Sequence, residues 1–95
     1  MHYVYILRSI ISPERTYVGY TSDLKARFKA HNEGQSPHTN KYKPWTLEWY
    51  CAFPDKWKAM AVESYLKSHS GNAFMNKRLI LQLKSTSEPP PLNST

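Results

Sequence analysis

Short apolar and aromatic runs, separated by turn residues, predict three strands. Residues 2–8 (HYVYILR) and residues 15–20 are rich in aromatic and β-branched side chains, and the proline-containing residues 10–14 (IISPE) lie between them. Two such runs joined by a short turn are typical of a β-hairpin. Residues 46–53 repeat the strand pattern until Pro54 interrupts it.

The hairpin register decides which side chains share a face of the sheet. If Arg8 lies opposite Glu14, the further pairs of the hairpin are Tyr5 with Tyr17 and Tyr3 with Gly19. Directly opposed residues point to the same side of a sheet. Three tyrosines and a glycine are therefore expected on one surface.

Helical signals follow the hairpin and the third strand. Residues 21–24 (TSDL) predict a helix start with a hydroxyl N-cap and an acid in the first turn, and residues 32–34 (NEG) predict its end. Residues 56–69 have helical periodicity, and the next three residues, Ser70-Gly71-Asn72, are predicted to break it. Residues 73–84 predict a last helix with several apolar side chains available for packing.

The remaining segments predict a loop and a tail around one domain. Residues 35–45 (QSPHTNKYKPW) carry two prolines and polar residues and predict a loop, whereas residues 85–95 have the composition of a disordered tail. A chain this short supports one core, so we predict a single domain over residues 1–84. The fold class is α+β, a small three-stranded antiparallel sheet flanked by helices in the order β-β-α-β-α-α.

Charge and cysteine content narrow the classes of partner and compartment. The chain has 13 Lys and Arg against 7 Asp and Glu, a net charge of +6, which favours a polyanionic partner without identifying an enzyme. The single cysteine, Cys51, excludes an internal disulfide framework. Because we find no signal-peptide pattern and no apolar run long enough to cross a bilayer, we expect a cytoplasmic protein with no membrane partner. Zinc-like histidine spacing and nucleotide-binding glycine patterns are also missing from the sequence.

Polar residues on the first predicted helix lie beside its apolar stripe. Leu24 and Phe28 define the stripe, and at 100° per residue Arg27 and His31 lie next to it. In a structural interpretation, Arg27 covers the core and His31 caps the last carbonyls of the helix. In a functional one, the pair clamps a phosphate.

A carboxylate on the second predicted helix raises the same choice. Glu63 lies close to the apolar stripe formed by Ala59, Val62 and Leu66, so it needs a partner. Lys67, at position i+4, could form an ordinary helix ion pair. A divalent cation is the alternative, since Mg²⁺ retains much of its water and can be held by one carboxylate and substrate oxygens.

The tyrosines of the hairpin could serve packing or chemistry. They are Tyr3, Tyr5, Tyr17 and Tyr20. In many small proteins such residues are only aromatic packing. Tyrosine has a reference pKa of about 10, so a tyrosine base needs a neighbouring cation to favour the phenolate. Arg27 and a metal ion at Glu63 would supply that charge.

The ordered set of these residues resembles the GIY-YIG nuclease superfamily. The set is Tyr3-Val4-Tyr5, Tyr17-Val18-Gly19, Arg27, His31 and Glu63. Its surroundings, YVGYTSDLKARFKAHN followed by KPWTLEWY and AVESYLKS, resemble the small single-domain bacterial branch. The resemblance covers roughly residues 2–80 and implies a three-stranded antiparallel sheet flanked by helices, in agreement with the pattern above.

The resemblance also implies catalytic roles. Glu63 would hold Mg²⁺ or Mn²⁺, and Arg27 would stabilise the phosphate. Tyr17 and Tyr5 would lie near the attacking water, with Tyr17 favoured as the general base, and His31 would be an auxiliary acid or base. The mechanism would be one-metal hydrolysis of a phosphodiester.

The sequence departs from the superfamily pattern at three points. Tyr3 stands where the first motif has glycine, and Tyr20 stands where the related DNA-repair incision domain has lysine. A late asparagine has only two candidates, Asn72 and Asn76. The missing lysine removes one activator of the phenol, so activity is expected to be weak or to depend on a partner.

Residues outside the catalytic set are expected to grip nucleic acid. They are Gly19, Tyr20, His38, Thr39, Lys41 and Lys43, with Tyr42 and Trp45 available for stacking. An ordinary solvated loop is the alternative for residues 35–45.

We therefore predict a metal-dependent endonuclease acting on DNA rather than RNA, selective for structure or active in repair and recombination. A small domain has little room for specificity, so we expect either that a partner protein targets it or that it recognises the shape of the nucleic acid. The main alternative is a nucleic-acid-binding module with weak or no turnover. An adaptor that binds proteins through its aromatic surface is a third hypothesis, and the oligomeric state is left open.

Overall fold

Residues 1–79 are described by a computed structural model. The strands are β1 (His2–Ser9), β2 (Thr16–Thr21) and β3 (Trp45–Phe53). The helices are α1 (Leu24–Asn32), α2 (Pro37–Asn40), α3 (Lys56–Lys67) and α4 (His69–Phe74), and a π-helical turn (Met75–Leu79) follows α4. The predicted α+β class is confirmed, with an antiparallel sheet of order β2-β1-β3. The end predicted for the last helix, the domain boundary at residue 84 and the tail all lie outside the described residues.

Strand β1 is buried on both faces because helices cover both sides of the sheet. Val4, Tyr5, Ile6 and Leu7 are all 0% exposed. Successive side chains of a strand point to opposite faces. Val4 and Ile6 pack in the cluster that includes Ala59 and Leu66 of α3 and Met75, while Tyr5 and Leu7 pack in the cluster that includes Trp45 and, from α1, Leu24 and Phe28. The two helices therefore flank the same central strand from opposite sides.

The predicted hairpin register is wrong by two residues. Tyr5 pairs with Gly19 rather than Tyr17, and Arg8 pairs with Thr16. A shift of two preserves the faces, because side chains alternate with a period of two. The three tyrosines and the glycine therefore still share one side of the sheet.

The turn explains the observed register. The backbone N–H of Ser9 donates to the Arg15 carbonyl (3.0 Å), which adds one more pair beyond Arg8. The Ser9 hydroxyl accepts a hydrogen bond from the N–H of Ser12 (3.0 Å) and holds the turn closed. These bonds place Ser9 opposite Arg15 and therefore Arg8 opposite Thr16.

The start of α1 differs from its prediction in the type of cap. The side chain of Asp23 accepts the hydrogen bond from the Ala26 N–H (3.1 Å), so the N-cap is a carboxylate rather than a hydroxyl. The Thr21 hydroxyl instead accepts from the Asp23 N–H (3.1 Å) and orders the approach to the helix. Beyond the other end of α1, Gly34 has φ of +79°, which favours glycine.

The predicted break between the last two helices lies in the wrong place. It is at Ser68, which is extended and whose hydroxyl accepts from the Gly71 N–H (3.1 Å) as the N-cap of α4. Gly71 is a buried residue inside α4, where a Cβ would collide with the Tyr65 carbonyl oxygen. The glycine therefore allows α4 to turn back against the end of α3 instead of ending a helix.

Residues 35–45 contain α2, a single helical turn that the loop prediction missed. Pro37 occupies its first turn, where a missing N–H costs nothing. Within residues 1–79, no helix has the length and apolar character needed to cross a membrane.

Candidate active site

Four secondary-structure elements bring polar side chains together beside the β2 edge of the sheet. Tyr5 from β1 and Tyr17 from β2 have ring centroids 6.3 Å apart. The ring of His31 on α1 lies 5.8 Å from Tyr5 and 5.0 Å from Tyr17. Arg27, one helical turn before His31, reaches both phenols, and Glu63 on α3 contributes negative charge at Tyr5. Residues far apart in sequence thus form one cluster.

A buried chain of hydrogen bonds runs through His31. The Tyr5 hydroxyl lies 2.9 Å from His31 Nε2, and His31 Nδ1 lies 2.8 Å from the Thr39 hydroxyl. The Thr39 hydroxyl donates to the Ser36 carbonyl (3.4 Å). These bonds assign the tautomer: Nδ1 carries the proton and donates to Thr39, and Nε2 accepts from Tyr5.

Burial determines the protonation states of Tyr5 and His31, the two titratable groups in this series of hydrogen bonds. Burial, and to a smaller extent the positive charge of Arg27, together lower the pKa of His31 from 6.5 to about 4. Burial also raises the pKa of Tyr5, and the hydrogen bond with Arg27 offsets only part of that shift. Near neutral pH Tyr5 is therefore a neutral phenol and His31 a neutral imidazole. The positive charge of Arg27, which was expected to favour a phenolate, does not outweigh the effect of burial on the pKa of Tyr5.

Neither of the two interpretations of His31 made from the sequence describes its contacts. Its side chain is 0% exposed and both ring nitrogens are bonded, so it neither caps the end of α1 nor reaches solvent to clamp a phosphate. Thr39 is the partner that the sequence pattern missed, because its contact with His31 depends on α2 folding back over α1.

Arg27 is the open cation of the cluster. Its pKa is raised, first by its hydrogen bond with the Tyr5 hydroxyl and also by the charges of Tyr5 and Tyr17. The residue is exposed, and it makes no ion pair with any carboxylate in residues 1–79. Its guanidinium can therefore accept an anion from solvent while it stays in contact with the phenols.

Glu63 has the ion-pair partner that the helix spacing predicted, and it still reaches solvent. Its Oε2 lies 3.1 Å from Lys67 Nζ, and its side chain is 22% exposed. Lys67 Nζ also lies 5.8 Å from the centre of the Tyr17 ring, a position that the sequence did not indicate. Glu63, Lys67 and Tyr17 are therefore neighbours at the mouth of the cluster.

A comparison with protein families identifies this arrangement. Residues 1–78 match the model of the GIY-YIG family, described as the GIY-YIG catalytic domain. The chain belongs to this family. Membership implies a nuclease, a hydrolase whose substrate is nucleic acid and in particular DNA, and GIY-YIG nucleases generally use divalent metals.

Relatives of this GIY-YIG domain carry the name UPF0213 protein. One from Vibrio campbellii is 38% identical over 65 residues, which cover 67% of this chain and 61% of that protein. One from Clostridium perfringens is 35% identical over 89 residues, 93% of this chain and 90% of that protein. The solution NMR structure of a UPF0213 protein from Bacillus halodurans is 31% identical, has a TM-score of 0.50, and covers 90% of this chain and 98% of that one.

The donor groups of this GIY-YIG domain fit a hydrated divalent ion rather than an enclosed metal site. Across the described part of the chain, no three His, Cys, Asp or Glu side chains form a group that could hold a metal. Glu63 offers a single, partly exposed carboxylate with hard oxygen donors. Such a ligand suits Mg²⁺ or Mn²⁺ that retains most of its water, and Lys67 would compete with the ion.

Two of the residues predicted to touch nucleic acid make contacts within the fold instead. Gly19 is buried beneath Tyr5, where a Cβ would lie 2.9 Å from Tyr5 Cε1 and closer still to its hydroxyl group. Tyr20 packs on the opposite face of the sheet, and its hydroxyl bonds to His2 Nδ1 (2.9 Å). What approaches Gly19 closely is thus a side chain of the protein itself, and Tyr20 points away from the cluster.

The loop predicted to bind nucleic acid, residues 35–45, contains both buried and exposed residues. Thr39 is 1% exposed and Trp45 is 4% exposed, and the Trp45 indole donates to the Thr39 carbonyl (2.9 Å), so neither offers a contact or stacking surface. His38, Lys41 and Lys43 are exposed as predicted. The buried pair instead anchors the loop beneath its exposed basic residues.

Arg15 adds to this basic surface without having been predicted to do so. Its guanidinium lies 4.6 Å from the centre of the Tyr42 ring, and Lys41 Nζ lies 5.9 Å from the same centre. Tyr42 is therefore shared by two cations from the hairpin turn and the loop.

The candidate asparagines Asn72 and Asn76 are exposed and hydrogen-bond to each other (3.0 Å).

The stability of the GIY-YIG domain is expected to fall as the pH drops from about 6.5 to about 4. Below pH 6.5 the unfolded chain binds a proton at His31, whereas the folded protein does not bind that proton until the pH approaches 4. The free energy of unfolding should therefore decrease by up to about 3 kcal/mol across this window. Urea denaturation at a series of pH values measures the effect.

Two histidine variants separate this effect from general acid denaturation. His38→Gln, which changes an exposed histidine, should retain the pH dependence of the wild type. His31→Gln should flatten it, although the protein will be less stable at neutral pH. Equal pH dependence in the wild type and in His31→Gln would show that His31 is not the titrating group.

Proposed function

We propose that the chain is a divalent-metal-dependent endonuclease that hydrolyses phosphodiester bonds of DNA at the cluster of Tyr17, Arg27, His31 and Glu63. One observation carries the proposal. A guanidinium and a carboxylate from separate helices both reach solvent, and the charges of both shift the pKa of the same phenol, Tyr5. This combination can bind a phosphate, hold a hydrated cation and accept a proton from water.

Tyr17 is the better candidate for the general base. Tyr5 is 0% exposed and its hydroxyl is engaged by His31, so water cannot approach it without displacing that bond. Tyr17 is half-buried at the edge strand of the sheet, interacts with Arg27, and has Lys67 Nζ 5.8 Å from its ring centre. A base must be within hydrogen-bond reach of the water that it activates, which favours the more open phenol.

The remaining residues have supporting roles in this proposal. Arg27 neutralises charge that develops on the phosphate, since a guanidinium can bind phosphate oxygens in a bidentate manner. Glu63 would hold Mg²⁺ or Mn²⁺, which when bound polarises the phosphate. His31, neutral and bonded through Thr39, positions Tyr5 and keeps a proton-accepting nitrogen next to both phenols.

A second function, a nucleic-acid-binding module with little turnover, is favoured by a specific contact. The Glu63 carboxylate already has a cation 3.1 Å away in Lys67. If that pair persists in solution, a metal ion must displace Lys67 before it binds. The exposed cations Arg15, Lys41 and Lys43 would still support binding of a polyanion.

Cleavage assays test the proposal. Plasmid, single-stranded and branched DNA, and RNA of matched sequence, are incubated with the purified chain and Mg²⁺, Mn²⁺ or EDTA. Metal-dependent cutting of DNA, weaker on RNA, is the expected result. Binding of all substrates without cutting in any metal would instead support the binding module, and activity that appears only with added cell extract would indicate a targeting or activating partner.

Exchanging each tyrosine for phenylalanine should assign the base. Tyr17→Phe should lower the single-turnover cleavage rate by about 100-fold or more, the usual contribution of a general base. Tyr5→Phe should reduce the rate less, but it should lower the free energy of unfolding by about 1–3 kcal/mol because His31 Nε2 loses its donor in a buried place. Chemical denaturation accompanies the rate measurement for both variants. An inactive, stable Tyr5→Phe alongside an active Tyr17→Phe would reverse the assignment.

A further inference from the structure

A concave surface lies beside α1, and none of the residues of the cluster described above lines it. Its volume is about 490 Å³, within the range of small-molecule sites. Phe28 and Leu47 contribute apolar walls, Tyr3 and Tyr50 contribute rings, and Asp23 and Lys25 contribute charges. We refer to it as the aromatic pocket.

The aromatic pocket adjoins the catalytic cluster through β1. Tyr50 on β3 pairs directly with Tyr5, and Tyr5 pairs with Gly19 on its other side, so the pocket lies across β1 from the β2 edge. Tyr3 is two residues before Tyr5 on the same sheet face, a distance of about 7 Å along the strand.

Helix α1 also joins the two sites. Lys25 and Phe28 line the aromatic pocket, whereas Arg27 and His31 belong to the cluster. A nucleotide chain with a phosphate at Arg27 therefore has an adjacent base within reach of the pocket, with Lys25 near its backbone.

The chemistry of the aromatic pocket suits a planar, uncharged ring. The rings of Tyr3 and Tyr50 have centroids 6.4 Å apart and are tilted by 53°, which leaves their faces unstacked on each other. Tyr50 is 53% exposed, so its ring is accessible to a ligand. Aromatic faces beside a cationic groove are the usual means of holding unpaired bases, and the net charge of +6 complements the strand that carries them.

We infer that the aromatic pocket binds one unstacked nucleobase next to the phosphate that is cut, and that the enzyme prefers single-stranded or splayed DNA to intact duplex. The inference rests on the proposed nuclease function. A base in a continuous duplex cannot enter such a pocket without the energetic cost of unpairing and unstacking. A flap, a gap or a single strand presents the base without that cost.

Binding in EDTA tests the pocket separately from cleavage. Oligonucleotides that contain 2-aminopurine, either single-stranded or in duplex, are titrated with the full chain, and affinity and fluorescence are recorded. Single-stranded DNA should bind more tightly and change the fluorescence of the probe. Tyr50→Ala should weaken single-strand binding about tenfold, the scale of one lost base-stacking contact, and should abolish the fluorescence change while it leaves duplex affinity unaltered.

Trp57→Ala provides the control, because Trp57 is an even more exposed aromatic residue (73%) on α3 and does not line the pocket. It should bind both DNA forms like the wild type. Unchanged single-strand affinity and fluorescence in Tyr50→Ala, or an equal loss for duplex, would overturn the inference. Because binding is measured without metal, base binding in the pocket can be detected even if the protein does not cut DNA. If the protein cuts DNA but Tyr50→Ala does not change single-strand binding, the inference about the pocket fails and the proposed nuclease function stands.

Discussion

Replacing Glu63 by glutamine is expected to lower the metal-dependent rate of DNA cleavage by about 1,000-fold, equivalent to about 4 kcal/mol of transition-state stabilisation. Glutamine retains the size and shape of the side chain but removes the charge that would attract the cation. Because Glu63 is the partly exposed carboxylate at the mouth of the cluster, the domain should remain folded. The measurement is a single-turnover rate across a range of Mn²⁺ and Mg²⁺ concentrations.

Glu33→Gln is the matched control for this prediction. It makes the same chemical change and also removes an i,i+4 ion pair, between Glu33 and Lys29 (3.9 Å), on a different helix. Each such exposed pair contributes only about 0.3–0.5 kcal/mol to folding. Similar stability in the two variants with loss of cleavage in Glu63→Gln alone would tie the effect to the metal. Equal activity of Glu63→Gln and wild type would reject the proposed role.

Replacing Arg27 by alanine is expected to reduce the cleavage rate by about 100-fold, the loss typical of removing one donor to developing negative charge. Its guanidinium contacts the phenols and is open to solvent, so it can bind the phosphate directly. Arg27→Lys should recover only part of the rate, because an ammonium retains the charge but not the planar pair of donors. Rates and DNA affinities are measured together at several salt concentrations.

Lys29→Ala separates a local effect of Arg27 from the general loss of a positive charge. Lys29 lies two residues further along α1 with its side chain 74% exposed. Its removal should weaken DNA binding slightly at low salt and leave the rate at saturating DNA unchanged. If Arg27→Ala and Lys29→Ala lowered binding alike and left the saturated rate intact, Arg27 would be one more surface contact and not a catalytic residue.

Local patterns were sufficient for the elements whose ends are marked by local bonds. Thr21, Asp23 and Gly34 bracket α1 because turn-forming and capping residues act on their immediate neighbours. The same reasoning failed at Gly71. Its effect depends on the Tyr65 carbonyl that lies over it, which a helix-breaker rule does not consider.

Helical spacing also indicated which polar residues would lie beside a packed face. Arg27, His31 and Glu63 were singled out because they sit next to apolar stripes, and all three lie around the two tyrosines. Their partners were less accessible to such reasoning. Thr39, the hydrogen-bond partner of His31, lies on α2, a helix that was predicted to be a loop because of its composition.

The amino-acid sequence alone determined the fold class, the family and the order of all the elements except the short helix α2, because periodicity, turn residues and motif spacing are properties of neighbouring positions. Only the tertiary structure decided the hairpin register, the burial of His31 and Thr39 and the separation of Tyr20 from the cluster. Each of these depends on contacts between distant segments. Whether a polar side chain meets solvent, a hydrogen-bond partner or a neighbouring ring is settled by the packing of those segments, which local patterns do not contain.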